Sequence, residues 1–80
     1  MTTQYTTTPA LEHYRTALKK CIELDCQALP GVENGMDEGQ IWDVKLNLAM
    51  VHARGDNPEL EAALMEFIKA HYELRKERLQ

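Results

Sequence analysis

Residues 36–58, MDEGQIWDVKLNLAMVHARGDNP, decide the fold of this chain. Asp37 offers its carboxylate as an N-cap, Gln40 three residues later can return the bond as a capping box, and Met36 and Ile41 flank the start as a hydrophobic staple. The spacing predicts a helix over 38–54. Gly55 supplies the residue that ends it, Asn57 is the next N-cap, and Pro58 takes the first turn of a further helix over 58–78. So short a link forces the two helices into an antiparallel hairpin. Glu59 and Glu61 at the start of the later helix, and Arg75, Lys76 and Arg78 at its end, complement its dipole.

Working toward the N-terminus, Val32 to Met36 reads as a short acidic loop, with a tight turn at Asn34-Gly35 but no alternating strands to make a β-hairpin. Pro30-Gly31 stops an earlier helix over 8–29 that begins with Thr8 as N-cap and Pro9 in the first position. Leu11, Tyr14, Leu18, Cys21 or Ile22, and Leu29 line its apolar side, opposite Arg15, Lys19, Glu23 and Gln27. Residues 1–7, MTTQYTT, carry no periodic apolar face and read as a disordered tail. The expectation is an all-α chain: a single helical domain over 8–80, built as a small three-helix bundle with a long first helix and a hairpin of the second and third.

Composition narrows the function. In 80 residues, thirteen acids against nine bases leave a net charge of −4, the wrong sign for affinity drawn from phosphate neutralisation, so no direct nucleic-acid binding is expected. No apolar run approaches the ~18 residues that span a bilayer, and the start of the chain has no basic or apolar leader. A cytoplasmic, membrane-free protein is expected. Cys21 and Cys26 agree with a reducing compartment, because five residues along a helix separate their Cα atoms by about 7.5 Å, beyond disulfide reach.

The surface carries more information than the fold. At about 100° per residue the second helix has two apolar stripes. Ile41, Val44, Leu48 and Val51 form one, and Trp42, Leu46, Ala49, Met50 and Ala53 form the other. The third helix repeats this with Leu60, Leu64, Phe67, His71 and Leu74 on one line and Met65, Ile68, Tyr72 and Leu79 on the next. Either the first helix lies in the groove between the other two and covers both stripes, or the second stripe meets another chain. The latter is preferred, because a chain this small without disulfide or metal gains from association, and a symmetric dimer is the commonest outcome. The expected interface is Trp42, Leu46, Ala49, Met50, Ala53, Met65, Ile68 and Tyr72, with Trp42 reading equally as its large anchor or as a core-edge residue.

Charge is distributed unevenly. Residues 31–66 hold eight acids against Lys45 and Arg54, whereas 67–80 hold Lys69, Arg75, Lys76 and Arg78 against Glu73 and Glu77. The molecule should then be polar from end to end, with an acidic face at Glu33, Asp37, Glu38 and Asp43 able to engage a basic or nucleic-acid-binding surface of a partner. Arg15, Lys45 or Arg54 would be the contacts for a small anionic ligand at a protomer interface.

Chemistry has few footholds. The chain has no serine, its four glycines punctuate helices without forming a phosphate loop, and C-x4-C has no matching pair for zinc. His13, His52 and His71 fall on three different helices, without a second ligand at helical metal spacing. His71 on the apolar line reads as a core-edge residue with one hydrogen bond, and His52, between the stripes of the second helix, would make association pH-sensitive. No cofactor, metal or catalytic residue is expected. The reading that follows is a non-enzymatic interaction or regulatory module, a homodimer that also engages an unidentified protein.

Overall fold

The computed structural model describes residues 7–24, 32 and 35–79. Three helices follow in chain order: α1, Pro9–Leu24; α2, Glu38–Arg54; and α3, Pro58–Arg78. No strand occurs among the described residues.

Each start is made by the cap that its sequence offers. Thr8 accepts at Oγ1 from the Leu11 amide at 3.2 Å. Asp37 accepts from the Gln40 amide at 2.8 Å while Gln40 Oε1 accepts from the Asp37 amide at 2.9 Å, completing the capping box. Asn57 accepts from the Leu60 amide at 3.2 Å, with Pro58 in the first turn. Gly55, at φ 67°, ends α2 in the left-handed region and donates its amide to the Val51 carbonyl. That conformation favours glycine because a Cβ there crowds the following carbonyl. The continuation of the first helix to Leu29, the Pro30-Gly31 stop, Cys26, Asn34 and the tail over 1–6 lie outside the described residues.

α3 is the central element. Both other helices pack against it, and α1 and α2 make no backbone contact with each other. Contacts of His13 with Glu66 and Glu73, and of Cys21 with Ala63, run α1 antiparallel to α3. Contacts of Glu38 with Arg75, and of His52 with Glu61, run α2 antiparallel to α3 as well. The outer helices are therefore parallel to one another, and α1 does not roof over the hairpin.

The core follows from this order. α3 buries Leu60, Ala63, Leu64, Phe67, Ala70, His71 and Leu74, an arc wide enough to serve two neighbours. α1 contributes Leu11, Tyr14, Ala17, Leu18 and Cys21, whereas α2 contributes only Ile41, Val44 and Val51. Tyr14 and Phe67 stack at 4.9 Å between ring centroids, with their planes tilted by 40°. Small Ala63 lets α1 and α3 come close enough for the Cys21 thiol to donate to its carbonyl at 3.4 Å. Val32, expected in a short acidic loop, is 3% exposed and joins the core from the connection. Ile22, left open beside Cys21 as a core candidate, is exposed, and Cys21 takes the buried position.

Candidate interaction surface

The two stripes of α2 part company in the folded chain. Ile41, Val44 and Val51 are buried and Leu48 is half-buried, facing α3. Trp42, Leu46, Ala49, Met50 and Ala53 all face outward, with Trp42 61% and Met50 60% exposed. The single tryptophan thus leaves a large aromatic surface in water on a helix whose other face is already packed.

The second line of α3 behaves in the same way. Met65 and Tyr72 are exposed and Ile68 is half-buried against the core, so these three extend the apolar surface from α2 onto α3. Trp42 and Tyr72 border one shallow cleft of about 210 Å³, with Ile41 between the helices and Lys45 and Arg75 at its rim. Lys45 donates to the Tyr72 hydroxyl, and its ammonium lies 4.9 Å from the centre of that ring. Such a cation over an aromatic face fixes the tyrosine while leaving its apolar edge open. On the same flank of α2, exposed His52 meets Glu61 at 3.0 Å.

The charged residues take positions that chain order did not foretell. Because the hairpin is antiparallel, the acidic start of α2 lies beside the basic end of α3, and Arg75 donates to Glu38 at 3.1 Å. The expected end-to-end polarity is folded back on itself there. Of the proposed acidic face, Asp37 is engaged as a cap and Glu38 with Arg75, while Asp43 stands five residues on from Glu38, about 140° around the helix. Glu33 lies outside the described residues. Arg15, Lys45 and Arg54 do not converge: Arg15 is on α1, Lys45 reaches Tyr72, and Arg54 lies 3.8 Å from Asp56.

The histidines divide by environment. His13 contacts Glu73 at 2.8 Å through Nδ1 and Glu66 at 2.6 Å through Nε2. Both ring nitrogens must donate to satisfy two carboxylates, which requires the imidazolium, and hydrogen bonds to Glu73 and then Glu66 raise the His13 pKa above 6.5. Sequence spacing had no means of revealing this, since the partners are 53 and 60 positions away. His71 is the opposite case. Only 3% exposed, it is held below its ordinary pKa of 6.5 first by burial and then by the nearby charges of Arg75 and Lys45. Its ring meets Tyr72 edge to face at 5.0 Å, and Nε2 has no hydrogen-bond partner.

Among the described residues no group of three or more His, Cys, Asp or Glu side chains is arranged to hold a metal ion, and no helix is long and apolar enough to cross a membrane. Comparison with protein-family models, with curated proteins and with solved structures finds no match to this chain.

Proposed function

We propose that this chain is a non-enzymatic interaction module, and that the outer face of α2 with the adjoining edge of α3 receives a second copy of the same chain. The observation that carries the reading is the outward stripe Trp42, Leu46, Ala49, Met50 and Ala53 on a helix held to its own fold by only three fully buried residues. A face of this composition in a small monomer is costly unless it is covered.

A second copy is favoured because the stripe is complementary to itself. Along its central line the bulk declines, from Trp42 and Leu46 to Ala49 and Ala53, with Met50 set to one flank. Packing two α2 helices face to face about a two-fold axis runs them antiparallel, so that Trp42 meets Ala53 and Leu46 meets Ala49 across the seam. Large side chains then fill the space left by small ones, the requirement for native packing density. On one flank the same symmetry brings Asp43 toward Arg54 of the other copy, a pairing of opposite charge that helps set the register. This reading is preferred over capture of a basic partner by an acidic face because Asp37 and Glu38 already have partners within the chain.

The test is light scattering coupled to size exclusion across a concentration series, with the Trp42→Lys/Met50→Glu variant beside the parent. Both side chains are exposed, so the variant keeps its helical circular dichroism. The parent should run as a dimer at high micromolar concentration and the variant as a monomer. A parent that stays monomeric with Trp42 exposed overturns the proposal.

A further inference from the structure

At the opposite edge of α3 from its N-terminal cap, residues 35–38 and the last turns of α3 enclose a cleft of about 340 Å³, at the lower end of the range of small-molecule sites. Its walls are Met36, Leu74 and Leu79, its inner end is His71, and Arg75 and Arg78 stand three residues apart at its mouth. Trp42 and Met50 take no part in it. The cleft shares Glu38 and Arg75 with the rim of the Trp42–Tyr72 cleft, but its apolar wall is its own, and neither reading rests on the other.

Three features give this cleft a chemistry. Gly35 has φ 133°, and a Cβ there would come within 3.0 Å of Arg78 Nη1, so the absence of a side chain is what leaves the guanidinium room beside the turn. Arg75 donates to Glu38 at 3.1 Å, and the Glu38 side chain is 81% exposed at the rim. An ion pair so open to water is weak, and a carboxylate entering from solvent can take the place of the Glu38 carboxylate at little cost. Behind the two guanidinium groups the wall is apolar, which rewards an aliphatic body and not a bare anion.

We propose that the cleft binds a small organic monocarboxylate with a short aliphatic tail, its head on Arg75 and Arg78 and its tail against Met36, Leu74 and Leu79. Arginine suits the task because its planar fork matches a carboxylate in two parallel hydrogen bonds. Glu38 acts as the competing internal carboxylate, so its removal strengthens binding.

The experiment is a titration of the full chain with hexanoate, followed by two-dimensional NMR, with acetate and hexanol as probes lacking the tail and the charge. Hexanoate is expected to saturate with the largest shifts at Met36, His71, Arg75 and Arg78, and acetate and hexanol to bind at least tenfold more weakly. Arg75→Gln/Arg78→Gln, both exposed positions, should weaken hexanoate at least tenfold with circular dichroism unchanged, and Glu38→Gln should tighten it severalfold. Binding that survives the double arginine variant, shifts centred on Trp42, equal affinity for hexanol, weaker binding in Glu38→Gln, or the absence of a saturable response would each overturn the assignment.

Discussion

His13 and His71 show how one residue type is driven in opposite directions by its surroundings. The His13 imidazolium is favoured by Glu73 and Glu66, so its folded pKa lies above the unfolded value of 6.5. Its contribution to stability is fully present below that unfolded value and is lost as the pH rises through the folded pKa. With a side chain about a third exposed, the contribution is below about 1 kcal/mol. His71 is disfavoured as a cation by burial and by Arg75 and Lys45, so its folded pKa lies below 6.5. The unfolded chain then takes up the proton more readily, and stability falls as the pH drops from 6.5 through the folded value. Following the histidine Cε1 protons by NMR should give a midpoint above 6.5 for His13 and below 6.5 for His71, and Glu66→Gln/Glu73→Gln should lower the His13 midpoint alone. The local pattern around each histidine told their helices apart but not their charge states. For His13 the deciding carboxylates come from another helix, and for His71 the deciding quantity is how completely the bundle encloses it.

Among the elements, α2 depends most on its ends. It is 17 residues long yet fully buries only Ile41, Val44 and Val51, so packing supplies less of its stability than it does for α1 or α3. The capping box at Asp37 and Gln40 accordingly carries weight. Asp37→Ala should destabilise the chain by about 1 kcal/mol, which for a domain of this size lowers the Tm by roughly 4–8 °C. Amide exchange should quicken at Gln40 and Ile41 while the α1 amides stay protected. Equal acceleration along α1 would mean that the three helices open only together. These ends were legible in the sequence because a cap is a contract among residues three or four apart. The position of α1 was not, since its apolar side at Leu11, Tyr14, Leu18 and Cys21 matches either flank of the hairpin until the small residues Ala63 and Ala70 of α3 are seen to admit it.

At the scale of the whole molecule, the arrangement is a central α3 with a well-buried α1 on one flank and a thinly held α2 on the other. The second copy proposed for the outer α2 face would bind the folded chain and not the unfolded one, and would so stabilise it by mass action. The Tm of the parent should therefore rise with protein concentration, and that of Trp42→Lys/Met50→Glu should not. A concentration-independent Tm for the parent between about 5 and 500 μM would remove association as a source of stability.

The sequence by itself determined the helical class, the starts of all three helices, the hairpin of α2 and α3, and the existence of two apolar stripes on α2, because each rests on residues no more than a turn or two apart. Only the tertiary structure decided which stripe is covered. Periodicity says that a face is apolar and is silent on where its cover comes from. With α1 docked on α3 and out of backbone contact with α2, Ile41, Val44 and Val51 are enclosed and Trp42, Leu46 and Met50 remain in water. The same packing joins the acidic start of α2 to the basic end of α3, a cancellation of charge that the order of residues along the chain conceals.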